Sequence, residues 1–335
     1  MLHSMYYLFA TQKDLYVFDE HLAPIEVVSL TEDDAYSIAT GVMTQIEQEL
    51  FTKYEGLLCC NYKKDHPYLR DMAILNQILS VIQPVTFADK HDFLRRVARF
   101  HIQKAVTWDM HVSQAIRSTD ELDKSINLLS KRMREWYEWH LPELSKKIAS
   151  HEKLAELIIT ESDEHLHEIS VTKQVSLGAD FSDIDMQAVR TLAEQIVALA
   201  KQRERTRDYI EVQMTKHMPN FTYIAGAQIA AKLLSIAGNV TRLSRLTAST
   251  IQVYGAEKAL FRHLKTGARP PKYGILFQHK LVSTARPQKR GKMARMLANA
   301  LSLCTKADYF AQIEGREATT ELAQTQLAKV EAAFK

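Results

Sequence analysis

Short apolar runs open the chain and predict strands. Runs rich in β-branched and aromatic residues cover residues 5–10, 15–18 and 25–28, and polar, turn-like residues separate them. A further run covers residues 57–61. Brief runs of this kind, bounded by turn residues, predict a small antiparallel sheet.

Helical signals follow the strands. Thr31 precedes three acidic residues and is a predicted N-cap, because its side chain can accept from the first turn and the helix dipole favours negative charge there. The helix is predicted to reach about residue 52, with others over residues 68–81 and 91–112. Residues 1–113 are therefore predicted to form an α+β domain.

A heptad pattern begins at Leu122. Its apolar residues step by four and three along Leu122, Ile126, Leu129, Met133 and Trp136. A matching pattern returns at Val189, Leu192, Ile196 and Leu199, and Pro219 ends it. Such seams predict an antiparallel coiled-coil arm over residues 114–222, with Pro142 interrupting its first helix and residues 176–185 at its tip. The alternative is an ordinary helical bundle packed on a neighbouring domain.

The remaining residues, 223–335, read as helices throughout. Residues 255–264 form one predicted helix, Gly267 is its predicted C-terminal stop, and Pro270 and Pro271 forbid its continuation. A helical period restarts at Lys289, and the tail from residue 313 is amphipathic. The predicted fold class is mainly α: a small α+β domain, a long helical hairpin and an all-helical C-terminal domain.

Charge is unevenly distributed along the chain. The net charge is only +3, yet residues 226–310 hold 15 basic and two acidic residues, whereas residues 1–113 hold 10 basic and 15 acidic residues. Residues 255–295, here called the basic segment, hold 11 lysines and arginines and one acid, Glu257. A segment with charge of one sign indicates a polyanionic ligand, and nucleic acid is the common one.

Two strings in this chain resemble one family. The string GAEKALFRHLKTGARPPKYGILFQH from Gly255, followed by RGKMAR from Arg290, resembles the signature of the Nop domain, the RNA-binding module of box C/D ribonucleoproteins. The string REWYEWHLPEL from Arg134 resembles the segment that enters the coiled coil of the same proteins. With the mixed N-terminal region, the similarity covers nearly the whole chain.

Charge and resemblance together predict an RNA-binding surface within the basic segment. Lysines and arginines neutralise phosphates, and Gln278 offers hydrogen bonds to base edges. The resemblance places His279 against the flipped nucleotide of a kink-turn, whereas core packing is favoured for Tyr273 and Phe277. The predicted RNA-binding residues are Lys258, Arg262, His263, Lys265, Arg269, Lys272, Gln278, His279, Lys280, Lys289, Arg290, Lys292 and Arg295.

The resemblance also implies partners. It implies a scaffold that binds box C/D guide RNA and a ribosomal-type kink-turn-binding protein, carries fibrillarin on its N-terminal domain, and forms a homodimer through the coiled coil. The chain ends soon after the Nop domain without a long charged tail, which favours an archaeal, cytoplasmic form over a nucleolar one. The alternatives are a spliceosomal-type Nop-domain protein and a dimeric coiled-coil adaptor whose basic end binds an acidic protein.

The sequence argues against an enzyme. The β-rich part has no glycine-rich strand-loop-helix unit for S-adenosylmethionine, which by resemblance fibrillarin would bind, and no other cofactor is predicted. Residues 226–310 lack clustered carboxylates for a nuclease, and Met293 stands where a phosphate loop needs Ser or Thr. Cys59, Cys60 and Cys304 have no metal-ligand spacing and are predicted core thiols. No apolar run is long enough for a membrane span.

Overall fold

The computed structural model describes residues 5–60, 71–82, 90–160 and 176–334. The chain forms two compact units, Met1–Val106 and Thr107–Lys335. The described residues are mainly helical, with one four-stranded sheet in the first unit. The predicted fold class, mainly α with a small α+β N-terminal region, is confirmed.

The first unit folds around the sheet. Its elements are β1 Tyr6–Ala10, β2 Asp14–Phe18, β3 Pro24–Ser29, α1 Glu32–Thr40, α2 Gln45–Lys53, β4 Leu57–Cys59, α3 Met72–Val81 and α4 Lys90–Ala105. The strand order is β3-β2-β1-β4, in which β1 pairs antiparallel with β2 and parallel with β4. The parallel β4 was not anticipated, because strand direction depends on the helices that precede β4 rather than on its own residues.

The two faces of this sheet are covered differently. Alternation along β1 and β2 sends Leu8, Leu15 and Val17 into one core with residues of α1, α2 and α4. Tyr7 and Phe9 point to the opposite face, where α3 covers them. The thiols of Cys59 and Cys60 are buried, as predicted, and burial raises the pKa of Cys60 to about 12. This thiol is therefore protonated and unreactive at neutral pH.

Two predicted helices of the first part of the chain are broken. The helix expected to reach residue 52 ends at Thr40, and α2 restarts behind a reciprocal capping box between Thr44 and Glu47. The helix expected over residues 91–112 ends at Ala105, and a new helix starts after Thr107. Of the other predictions, residues 61 and 68–70 lie outside the described residues.

The second unit is entirely helical among the described residues. Its elements are α5 Trp108–Tyr137, α6 Pro142–Lys147, α7 His151–Thr160, α8 Asp183–His217, α9 Pro219–Ala225, α10 Ala227–Ala237, α11 Val240–Arg245, α12 Ala248–Val253, α13 Glu257–Thr266, a 3-10 turn Ile275–Gln278, α14 Lys280–Ser283, α15 Arg290–Ile313 and α16 Glu321–Phe334. As predicted, α5 is interrupted before Pro142 and α8 ends before Pro219; each proline in turn begins a new helix. Position 113, the predicted first boundary, lies inside α5, and the three-domain division stays a proposal.

Helices α5 and α8 contribute to two separate cores. The start of α5 and the end of α8 join the C-terminal helices in a proximal core, which includes Val112, Ile116, Ile210 and Met214. The other ends of the two helices join α6 and α7 in a distal core, which includes Ile126, Ile158 and Ile196. Because early α5 packs on late α8, and late α5 on early α8, the two helices run antiparallel.

The buried positions on both helices follow a heptad rhythm. On α8 they step by three and four along Met186, Val189, Ala193, Ile196 and Ala200, and resume at Ile210 and Met214. On α5 the buried positions that follow this rhythm are Asp109, Val112, Ile116, Thr119, Ile126, Ser130, Met133 and Tyr137, and Ser113 is buried beside them. Leu129, Leu192 and Leu199 are half-buried at the edge of the distal core, and Leu122 is half-buried outside it. The seam is thus offset from the predicted one on α5, because Thr119 and Ser130 are polar residues in buried positions.

A layer of charges fills the seam between the two cores. Between Ala200 and Ile210, Arg203 and Arg207 occupy the heptad positions of α8, and Asp123 occupies the facing position on α5. Arg203 is 12% exposed and binds Asp123 at 3.2 Å and Glu152 of α7 at 2.9 Å. Arg207 also pairs with Asp123, at 3.6 Å. This ionic layer joins three helices and separates one apolar core from the other.

We expect Arg203→Ala to lower the free energy of unfolding of the second unit by about 1–2 kcal/mol, because it leaves two half-buried carboxylates without their shared cation. Arg205→Ala is the matched control, since Arg205 is exposed on the same helix; its expected change is within about 0.5 kcal/mol. Urea denaturation followed by circular dichroism measures both. Equal effects of the two substitutions would contradict a structural role for the ionic layer.

Candidate nucleic-acid interface

Helix α13 projects from the second unit with little of its surface covered. None of its residues is buried. Lys258, Arg262 and Lys265 share one exposed face, as predicted from their spacing. Phe261 and Leu264 are 61% and 68% exposed. Paired apolar side chains in water on a cationic helix indicate a surface that a partner covers.

The chain around α13 is fixed by backbone contacts. Gly267 ends α13 in the left-handed conformation at φ 68°, as predicted from its position. The returning loop then pairs with the end of α12, where the amide of Ile275 donates to the carbonyl of Tyr254 at 2.7 Å. A Cβ on Gly274 would lie 1.9 Å from that same oxygen, so only glycine fits there.

The loop also brings its cations to the start of α15. The aliphatic stem of Lys272 lies over Gly291, since a Cβ on Gly291 would be 3.5 Å from the Cδ of Lys272. Lys289, Arg290 and Lys292 occupy the first turn of α15 without an acid. Cations at a helix N-terminus oppose the dipole by about 0.3–1 kcal/mol each, so local stability does not explain them. An anion at this end would be attracted by both the dipole and the side chains.

Three planar side chains stack beside this helix start. The rings of Tyr273 and Phe277 lie 5.0 Å apart at an angle of 13°. The guanidinium of Arg290 lies 5.4 Å from the centre of the Phe277 ring. Arg290 also donates to the carbonyls of Ala285 and Ser283, so the fold fixes its orientation. The expected core packing holds for half-buried Tyr273, whereas Phe277 is 39% exposed and lies outside the core.

His279 is half-buried, and both of its ring nitrogens are used within the chain. Nδ1 accepts from the amide of Leu281 at 3.2 Å, so the proton resides on Nε2, which donates to the carbonyl of Ile224 at 2.9 Å. Burial lowers the pKa of this imidazole, although the bond to Ile224 opposes the shift. His279 is therefore a neutral ring whose edges are occupied. Stacking, the role predicted for it, uses a face of the ring and not an edge.

The two acids of residues 226–310 do not neutralise this surface. The Glu257 carboxylate accepts from the backbone amide of Gly255 at 2.8 Å. Asp308 is fully buried in α15, where it accepts from Asn220 and from the amide of Phe221 at the start of α9. Both carboxylates hold helix ends. Apart from half-buried Arg290, the cations of the basic segment are therefore exposed, and none makes an ion pair with a described residue.

The predicted RNA-binding residues differ in how far they are free to bind. His263, His279 and Arg290 are half-buried and hydrogen-bonded within the fold. The others are exposed, and none of the cations among them makes an ion pair with a described residue. These exposed residues are Lys258, Arg262, Lys265, Arg269, Lys272, Gln278, Lys280, Lys289, Lys292 and Arg295.

Sequence reasoning missed Phe261 and Leu264. The available signal was an apolar pair three residues apart on a helix with cations at neighbouring positions, but periodicity alone does not tell whether such a pair is covered. Within the described ranges, no group of His, Cys, Asp and Glu side chains is arranged to hold a metal ion. Among the described helices, none has the length and apolar character that crossing a membrane requires.

Basic residues clustered on exposed helical surfaces, as on α13 and at the start of α15, are typical of proteins that bind nucleic acid. Comparison with known proteins gives the same class. Residues 118–333, more than half of the chain, match the family model described as "Nop: snoRNA binding domain, fibrillarin". The chain belongs to the Nop family.

Relatives come from eukaryotes and archaea. Nucleolar protein 56 of Schizosaccharomyces pombe is 35% identical over 66% of this chain and 48% of its own length. Nucleolar protein 58 of Scheffersomyces stipitis is 37% identical over 75% and 51%. A NOP5 family protein of Methanocaldococcus jannaschii is 37% identical over 60% and 52%. The chain spans about half the length of these curated relatives.

Solved structures are also similar to this chain. A crystal structure described as a fibrillarin/Nop5p complex aligns with 87% of this chain and 93% of that chain, at 24% identity and a TM-score of 0.43.

We expect His279→Ala to lower the free energy of unfolding of the second unit by about 1–2 kcal/mol at neutral pH, because the buried carbonyl of Ile224 loses its donor. The free energy of unfolding of the variant should also depend less on pH. The folded pKa of His279 lies below its ordinary value of 6.5, so its contribution is present above that value and is lost as the pH falls through the folded pKa.

Urea denaturation at about pH 8 and about pH 5 measures this difference. His279→Gln is the conservative comparison, since its side-chain amide retains a donor for Ile224. If wild type and His279→Ala lost stability equally on acidification, the internal role of the imidazole would be wrong.

Proposed function

We propose that this protein is the scaffold of a box C/D RNA-guided 2′-O-ribose methylation particle. Its basic helical module binds a kink-turn of the guide RNA together with a ribosomal-type kink-turn-binding protein. The observation that supports this most is the exposed, cation-rich surface of α13 and the start of α15, whose one acid, Glu257, is bound by the Gly255 amide, within a region that matches the snoRNA binding family. Cations on this surface supply affinity through phosphates, while Phe261 and Leu264 supply apolar area for a protein partner.

We also propose that the first unit carries fibrillarin. The first unit lies wholly outside residues 118–333, so this assignment rests on the resemblance and on the mention of fibrillarin in the family's description. The chemical contribution of the scaffold is positional. A tethered methyltransferase reaches the ribose 2′-hydroxyl at a raised effective concentration, and S-adenosylmethionine would be bound by fibrillarin rather than by this chain.

Self-association through the helical hairpin completes the proposal. At the distal end, Trp139, Leu177 and Ile184 are 69%, 93% and 83% exposed. The amide of Ala179 donates to the carbonyl of Trp139 at 2.8 Å, which holds the predicted tip segment against the turn after α5. An apolar group of this kind at the end of a hairpin fits a second copy of itself, as a two-fold interface requires.

Two alternatives remain distinct. A spliceosomal-type Nop-domain protein would share the RNA surface without carrying fibrillarin, and a dimeric adaptor would bind an acidic protein through its basic end. Purification without nuclease distinguishes them: structured RNA copurifies in the first two cases, and fibrillarin is captured only by the proposed scaffold. We propose the archaeal form. Identity favours neither origin, because it is 37% both to the archaeal relative and to a fungal one.

The RNA surface is tested by replacing Lys258, Arg262 and Arg269 together with alanine. We expect weaker binding to a kink-turn RNA with its binding protein, and a slope of log Kd against log salt that is lower by roughly 0.7–0.9 per lost phosphate contact. Lys124, Lys153 and Lys201, exposed on the hairpin, changed together to glutamine are the control. An unchanged slope in the alanine variant would refute the assignment.

The hairpin and the dimer are separated by two further variants. Ile196 is fully buried, so Ile196→Asp should reduce helicity and lower the melting temperature of the second unit. Ile184→Asp, at an exposed position, should keep helicity and convert the dimer to a monomer in sedimentation. A dimer that persists unchanged in Ile184→Asp at low protein concentration would show that the distal end is not the contact.

A further inference from the structure

Four cations of residues 226–310 lie outside the basic segment: Lys232, Arg242, Arg245 and Lys306. Lys232 has an internal partner, since its Nζ lies 3.1 Å from the carboxylate of Asp120 on α5. Arg242, Arg245 and Lys306 are exposed, and none of them makes an ion pair with a described residue. The RNA surface proposed above does not include these three residues, here called the second basic patch.

The fold places these three residues beside one helix. Helix α11 packs on α15 through Leu243, which is fully buried in the proximal core. The hydroxyl of Ser302 on α15 donates to the carbonyl of Leu246, directly after Arg245, at 3.3 Å. Lys306 lies one turn beyond Ser302 on α15. The second basic patch therefore flanks the contact between α11 and the middle of α15.

This patch shares a helix face with the first cluster of cations. The exposed positions of α15 step by three and four through Lys292, Arg295, Asn299, Leu303 and Lys306. Arg295 and Lys306 are separated by close to three full turns, so they lie on the same side of α15 about 16 Å apart. Cations thus recur along one line from the start of α15 to its middle.

Local stability explains only part of the patch. Arg242 and Arg245 lie in the last turn of α11, where cations favour the helix dipole. Lys306 lies in the interior of α15, where no helix end is near. Helix α10, which packs on α11, and helix α12, which packs on α15, contain no acid. Helix α16 also packs on α15, but its exposed acids, Glu321 and Glu331, form no ion pair with the patch.

We propose that Arg242, Arg245 and Lys306 form a second phosphate-contact site, which binds the backbone of an RNA stem that runs along α15 away from the first cluster. The proposal rests on RNA binding by the basic segment. A line of separated cations matches regularly spaced phosphates, whereas a protein interface is centred on large apolar anchors. Leu303 lies among the cations of this line, and the large exposed apolar residues that continue the same face, Phe310 and Ile313, lie beyond Lys306.

The test compares two kink-turn RNAs, each with its kink-turn-binding protein, that differ only in the length of one stem. A distance of about 16 Å corresponds to about five base pairs, so stems of about 4 and about 14 base pairs end before and beyond the patch. The full chain carries Arg242→Gln, Arg245→Gln and Lys306→Gln together. We expect at least a tenfold loss of affinity for the long stem at low salt, a slope lower by roughly two units, and no change for the short stem.

The hairpin variant with Lys124, Lys153 and Lys201 changed to glutamine removes the same charge elsewhere and should bind both RNAs as wild type does. Circular dichroism checks that both variants are folded. An unchanged slope of the patch variant on the long stem overturns the proposal and leaves an acidic protein as the partner of these cations. Equal losses on both stems overturn it as well. If the wild-type chain bound neither RNA, the proposed function would fail first, and the second site with it.

Discussion

The carboxylate of Asp308 is fully buried where three helices meet. It accepts from the amide of Phe221 and from the side chain of Asn220 at 2.9 Å each, and the Asn220 oxygen accepts from the amide of Ala323 in α16. Burial raises the pKa of this carboxyl, while the donors around it act in the opposite direction. One acidic residue thereby ties α9, α15 and α16 together. The same contact removes its negative charge from the surface.

Withdrawal of acids is what allows the basic surface to exist. Residues 226–310 must fold with a large excess of positive charge, which repels itself. Asp308, inside the fold, and Glu257, at the surface, each accept from backbone amides at a helix start, where carboxylates are favoured. The surface then carries cations in positions that do not help the helices, as at the start of α15. Folding and polyanion binding are served by different residues of the same segment.

Much of this arrangement was legible in the sequence. Strands, helix ends at prolines, the stop at Gly267 and the exposed face of α13 followed from pattern and local chemistry. The break before α2 was also readable, since Thr44 and Glu47 have capping-box spacing. Apolar periodicity could not identify the seam on α5, because Thr119 and Ser130 are buried there and Arg203 occupies the facing seam through its ion pairs. Nor could it indicate that Phe261 is exposed, since periodicity identifies a face but not whether that face is covered.

Charge and resemblance predicted which residues form the candidate site, but they did not predict the contacts that these residues make within the fold. Exposure of ten predicted residues follows from their type. The bonds of His279 and Arg290 do not, because each depends on a carbonyl that distant parts of the fold bring into reach, such as that of Ile224. The polar atoms of such a residue can thus be used within the fold, and only the part of its side chain that stays exposed can contact a ligand.

The heptad rhythm of α5 and α8 has a consequence for the size of the assembly. Because buried positions repeat every seven residues on both helices, removal of seven residues from each, beyond the ionic layer, keeps every remaining side chain on its original side. Each such step shortens the hairpin by about 10 Å. The length of the hairpin could therefore change in seven-residue steps, in evolution or by engineering, without redesign of either end.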